Sequence, residues 1–599
     1  MTLAHWDLTE IYPSLESAEF ENGFAEVVAQ INALEKVFDA RNIARTDNAN
    51  TDAATQETFD AILTQYNATL EALSTLYAYI SSFVTTDSRN ALAQAKLSEL
   101  QRHNITLSKL GTRLTAWLGS LDVNALTANS QIAREHEYAL QRAKIDAQHQ
   151  MSPPEEELAA ELSVSGGIAW GKLHGNVSSQ ITVDVEMDGE TKTMPMSAVR
   201  TLAYDPRREI RERAHHAELA AWQANAVPLA AALNSIKGQV NTLSKRRGWD
   251  SALDEAIHNA AIDRATLDAM MLAARESFPN FRRYLKAKAR ALKINQLAFY
   301  DIFAPLAKGT RVWEYDAARD FILTNFGTYS EKMQNLARRA FDENWIDAEP
   351  RTGKRDGAFC MWLRRGDSRI LSNFKPAYGG MSTLAHELGH AYHNLVKGHR
   401  TYVQRATPMT LAETASIFCE TIVREAALQE ASGAERVAIL EASLQGSCQV
   451  VVDISSRFLF EQRVFEGRIA RELSVEELGT LMLDAQKETY GDGLDAEKLH
   501  PFMWAAKPHY YNAGNSFYNF PYMFGLLFGL GLYARYRQDP NEFKKGYDDL
   551  LSSTGMADAA TLAARFGIDI RTPEFWRASL GIIGKEIEVF EKEVRVSHD

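Results

Sequence analysis

Cysteine is scarce: Cys360, Cys419 and Cys448 are the only three in 599 residues. That excludes a disulfide framework, and the odd number suits a reducing compartment. Positive charge is in short supply as well. Lys and Arg total 65 against 78 Asp and Glu, a net charge of −13. A nucleic-acid binder needs a basic surface for phosphates, so that class is disfavoured. One apolar run, FPYMFGLLFGLGLYA (520–534), is shorter than the ~18 residues of a membrane span and contains Pro521. It reads as a buried helix, with Gly525 and Gly529 open to close packing by another helix. The opening MTLAHWDLTEIYPSLESAEF has neither a basic n-region nor an apolar h-region, so no signal peptide is expected. These absences predict a cytoplasmic protein with no nucleic-acid and no membrane partner.

What is present is a globular composition, 45% apolar and 24% charged, in a chain long enough for large cores. Most of it carries helical periodicity. Residues 91–121 set Leu97, Leu100, Leu107, Leu110, Leu114 and Trp117 at three-to-four spacing. Ser152-Pro153-Pro154 and Asp205-Pro206 read as helix starts. The polar stretch 45–56 reads as a loop. Strand signals are few: ITVDVEM turning at Asp188-Gly189, and a pair at 358–364 and 369–374 around Gly366-Asp367. The expectation is a mainly α fold with small β hairpins, divided near the first hairpin into residues 1–195 and 196–599.

The chemistry concentrates in GGMSTLAHELGHAYH, 379–393. A helix capped by Ser382 or Thr383 would set His386 and His390 one turn apart on one face, both able to reach one metal ion. Glu387, turned aside, suits a general base on a metal-bound water. Catalytic zinc usually takes three protein ligands and leaves a position for water. The metzincin pattern wants Gly and His three and six residues after the second histidine; here those are His393 and Val396. His393 reads as a helix-face residue. The stronger candidates lie in TLAETASIFCE, where Glu413 follows His390 by 23 residues and Glu420 is seven further on. One can bind zinc while the other orients a ligand histidine.

At these residues the chain resembles the zinc metallopeptidases of the oligoendopeptidase F family, relatives of thimet oligopeptidase. TLAHELGHAYH and LAETASIFCE carry the likeness, and so does KPHYYNAGNSFYNFPYMFG (507–525). The resemblance implies one zinc per chain on His386, His390 and Glu413, with Glu420 orienting a ligand. It implies that His509, Tyr511, Tyr518 and Tyr522 bind substrate and steady the transition state. The insertion-like NAGN (512–515) and Phe520 depart from the family pattern. It also implies two helical lobes around a deep channel that admits short, unstructured oligopeptides.

The resulting expectation is a zinc endopeptidase hydrolysing internal peptide bonds, with zinc polarising the carbonyl and Glu387 moving the proton from water to the leaving amine. The strand 369–374 is expected to pair by its edge with substrate backbone, with Gly379 and Gly380 allowing close passage. Two rivals stand beside it. A carboxypeptidase or dipeptidyl carboxypeptidase would anchor the substrate's terminal carboxylate on Arg364, Arg365, Lys375 or Lys507. A non-catalytic peptide-binding protein would have no use for Glu387. A structural zinc site is a weaker third, since no further Cys or His closes the shell.

Overall fold

The computed structural model describes residues 3–46, 51–306 and 311–596. Most of them are helical, with one two-stranded and one three-stranded sheet. By contacts the chain divides into two units, each assembled from three stretches. The first comprises Met1–Gln150, Arg311–Ala426 and Arg535–Phe566; the second comprises Met151–Thr310, Ala427–Ala534 and Gly567–Asp599.

In the first unit, helices Ala18–Ala40, Ala53–Thr86 and Ala91–Ser120 share one apolar core. The leucine spacing acts as expected: Leu100, Leu107, Leu110, Leu114 and Trp117 are buried, and Leu97 packs at the margin. Each such burial stabilises by roughly 1.5–3 kcal/mol. Ser17, Asp52 and Asn90 cap the three helices by accepting backbone N–H bonds. The loop expected over 45–56 is thus shorter, because Asp52 starts a helix at Ala53; its residues 47–50 lie outside the described residues.

The small sheet of this unit runs Ile346–Asp347, Asp367–Leu371, Phe359–Arg364, the first pair parallel and the second antiparallel. Asp367–Leu371 is therefore the central strand and is buried throughout. This corrects the expectation that its edge meets substrate: Ile346–Asp347 covers one side and Phe359–Arg364 the other. The chain then passes directly into helix Tyr378–Val396.

The second unit holds the expected hairpin, Thr182–Met187 against Glu190–Pro195. Asp188 and Gly189 turn it with φ of 55° and 81°, the left-handed pair a two-residue hairpin turn demands. Ser152 caps helix Pro153–Ser165 in a capping box with Glu155, as its sequence indicates. Asp205 behaves differently. Helix Arg208–Ala224 begins three residues later, and Asp205 accepts the Arg207 N–H at 2.8 Å in a turn ahead of it. The apolar run 520–534 lies in helix Phe520–Gln538, mostly buried, with Pro521 in the first turn, where a missing N–H costs nothing. Gly531 in this helix is closely packed, since a Cβ there would strike the Phe575 ring. Among the described residues one helical run, Gly433–Ala470, is long and apolar enough to cross a membrane. More than half of its most apolar window is buried within the protein, as in a core helix.

Candidate metal centre

Helix Tyr378–Val396 starts five residues earlier than a Ser382 cap would allow, because Ala377 is extended and ends the preceding segment. The double glycine lies inside its first turn. A Cβ on Gly380 would meet Lys375 backbone, whereas Gly379 faces open space. Ser382, freed from capping, donates to Glu420 Oε1 at 2.9 Å.

His386 and His390 come together on one face, rings edge to face with centroids 5.0 Å apart. Glu413 arrives from the start of helix Thr414–Glu430, which packs on the histidine helix at Gly389. A Cβ there would lie 2.6 Å from Ser416 Cα and 2.7 Å from Ala415 O. Only glycine lets the two backbones approach this closely. Glu413 Oε2 consequently stands 3.2 Å from His386 Nε2 and 3.3 Å from His390 Nε2. Ser416 Oγ steadies that oxygen with a 2.7 Å bond. Glu420 Oε2 lies 3.1 Å from His386 Nδ1. With Nδ1 protonated toward Glu420, Nε2 turns its lone pair to the side where Glu413 stands.

Electrostatics follow the geometry. Burial disfavours a charged His386, but Glu413 and Glu420 outweigh it and hold its pKa well above the ordinary value. Burial likewise opposes the Glu413 anion, and the two imidazoles overcome it, holding that carboxyl far below the usual range. Glu387 is the exception. Burial pushes its pKa up despite the neighbouring histidines, and its Oε2 has no hydrogen-bond partner.

These residues fit a zinc-type ion. Two imidazole nitrogens and a carboxylate oxygen lie within 4.8 Å of one another. Tetrahedral bonds of ~2.0–2.1 Å imply ligand-to-ligand edges of ~3.3 Å, which the two measured nitrogen–oxygen distances match. His393 is not among the donors. It is buried, with Nε2 3.0 Å from Leu551 O and 2.9 Å from Thr554 Oγ1, a packing histidine as its position suggests.

The remaining candidates belong to the second unit. Tyr518 and Tyr522 hydrogen-bond through their hydroxyls, and the His509 ring stacks on Tyr518 at 6.0 Å. Burial and the cations Arg457, Lys507 and Lys237 bring the His509 pKa down to about 2, so its ring is neutral. Tyr511 is not brought into this group. It is buried against the His174 ring, centroids 3.8 Å apart, with its hydroxyl unpartnered. Sequence reasoning missed Ser416 and the true role of Ser382, since a serine hydroxyl leaves no spacing signal. It also missed a second His/Glu/His group, His215, Glu218 and His500; HHAE in Arg208–Ala224 was its only trace.

The family model described as Peptidase family M3 matches residues 201–582, and one described as Oligopeptidase F matches residues 119–182. An oligoendopeptidase F homolog of Lactococcus lactis subsp. lactis (strain IL1403) is 23% identical over 98% of this chain and 96% of its own length. The oligopeptidase PepF of Bacillus subtilis (strain 168) is 22% identical over 98% and 87%. The crystal structure of oligoendopeptidase-F from Enterococcus faecium superposes with a TM-score of 0.71, 17% identity, over 96% of this chain and 99% of that one.

Proposed function

Because the chain belongs to peptidase family M3, and so hydrolyses peptide bonds as a metallopeptidase, we propose that it is a zinc-dependent endopeptidase cutting internal bonds of short, unstructured oligopeptides. The observation that carries this reading is the bare Glu387 Oε2 beside the His386, His390 and Glu413 donors. A metal site built only to hold its ion has no use for a buried, unsatisfied carboxylate, which costs stability.

His386, His390 and Glu413 would hold the zinc, and Glu420 fixes the orientation of His386. When bound, the ion supplies a Lewis acid that polarises the scissile carbonyl and acidifies a water. Glu387 takes the proton from the attacking water and later hands it to the leaving amine; its raised pKa suits both acts. His509, Tyr518 and Tyr522 are assigned to the oxyanion as hydrogen-bond donors. The neutral His509 donates without bringing a charge. Tyr511, packed under His174, is assigned to holding this segment in place. Substrate backbone is assigned to the outer strand Phe359–Arg364. The three unpaired cysteines suit the cytoplasm as its place of work.

The test is a length series of internally quenched peptides with both termini blocked, assayed with one equivalent of zinc beside Glu387→Gln. Internal cleavage of the short members, reduced about 10²–10⁴-fold in the variant, is expected. Survival of blocked peptides while free ones lose C-terminal pieces would instead establish an exopeptidase. Binding without cleavage by either protein would leave a peptide-binding protein.

A further inference from the structure

The second unit contains a triad of the same residue types. His215 and Glu218 lie one turn apart on helix Arg208–Ala224, and His500 comes from the segment after helix Val475–Tyr490. They are 6%, 8% and 1% exposed. Their donor atoms lie within 4.8 Å of one another. The His215 and His500 rings meet edge to face at 5.4 Å and 74°, against 5.0 Å and 80° for His386 and His390. His500 Nε2 stands 3.4 Å from Glu218 Oε1, close to the spacing at the first centre.

An ordinary buried polar network does not account for this group. His500 Nδ1 has no hydrogen-bond partner, and Nε2 has only the long 3.4 Å approach to Glu218 Oε1. Buried imidazoles rarely go unsatisfied, because an orphaned polar group has given up water without a replacement partner. A cavity of about 310 Å³ opens beside the triad, lined also by Arg200 and Lys507, with room for an ion and its waters.

We propose that His215, Glu218 and His500 form a second metal site, holding a zinc-type divalent cation on two imidazole nitrogens and one carboxylate oxygen, with cavity water completing the shell. Arg200 Nη1 and Trp222 Nε1 both engage Glu218 Oε1, each at 3.1 Å, and hold that carboxylate within the cluster. The ion ties helix Arg208–Ala224 to the segment leading to His509.

The experiment counts metal in the full-length chain, stripped by chelator, reloaded with zinc chloride and desalted. About two equivalents are expected in the wild type and about one in each of His386→Ala, His500→Ala and Glu218→Gln. Cobalt chloride added to His386→Ala should give the visible absorption of tetrahedral cobalt, and His386→Ala/Glu218→Gln should not. One equivalent in the wild type and in folded His500→Ala, with none in His386→Ala, overturns the proposal while leaving the first centre intact. A melting temperature that phosphate raises and zinc does not overturns it too, since Arg200 and Lys507 would then be serving an anion. Glu218→Gln keeps the side-chain volume, and circular dichroism of each variant separates lost metal from lost fold.

Discussion

In the proposed metal centre Glu420 acts from outside the three donors His386, His390 and Glu413. Its carboxylate holds the Nδ1 side of His386 and is itself held by Ser382. Glu420→Gln keeps the shape but removes the charge that orients and polarises the imidazole. Zinc affinity, titrated against a competing chelator, should fall about 10–100-fold with little change in far-UV circular dichroism. At this scale the sequence was informative wherever a residue type dictates a spacing. His386 and His390 are legible because a helix brings residues four apart together. Glu413 and Glu420 were legible as a pair, and the resemblance alone divided their roles. Ser382 and Ser416 were not legible, because a hydroxyl serves a cap or a carboxylate equally well and only the neighbouring helix decides. His215, Glu218 and His500 escaped because 282 residues separate the last two.

Between elements, the decisive contact is the crossing at Gly389. Gly389→Ala would gain roughly 1 kcal/mol of helix propensity. It would also thrust a methyl into Ser416 and Ala415 backbone, which cannot rotate away. The expected net result is destabilisation of about 1–3 kcal/mol, with weaker zinc binding as Glu413 is carried off with its helix. Melting temperature and zinc affinity should therefore fall together; a loss of the first without the second would separate the crossing from the centre. The long elements were readable from periodicity and caps. The short ones were not: Ile346–Asp347 is two residues long, too brief for alternation to register. Missing it turned a central strand into an apparent edge. The caps expected at Ser382 or Thr383 and at Asp205 were misjudged for a related reason, since serine and aspartate near a helix end also serve turns and side-chain contacts.

Over the whole molecule, acid should act through buried carboxylates such as Asp347. Arg351 reaches it at 2.6 and 2.9 Å and Lys354 at 2.7 Å. Burial opposes its charge, but these partners hold its pKa below the ordinary value. A carboxyl depressed in the folded state contributes stability above its unfolded pKa of ~3.9 and loses it as pH falls toward the folded value. Asp347→Asn should cost about 3–5 kcal/mol at pH 7, and melting curves should show the gap to wild type narrowing at pH 3. The division at 195/196 is kept as a proposal along the chain, supported by family matches ending at 182 and resuming at 201. Each unit, however, is threaded from three stretches, and that bears on how the protein is made. His393 in the first unit binds Leu551 and Thr554, so this unit cannot close when residue 150, or even residue 426, leaves the ribosome. At roughly 5–20 residues per second, residue 554 emerges about 20 to 80 seconds after residue 150. Throughout that interval the nascent chain carries two unfinished cores, so chaperones that shield exposed apolar faces should bind it during synthesis and release it only after residue 554 has emerged.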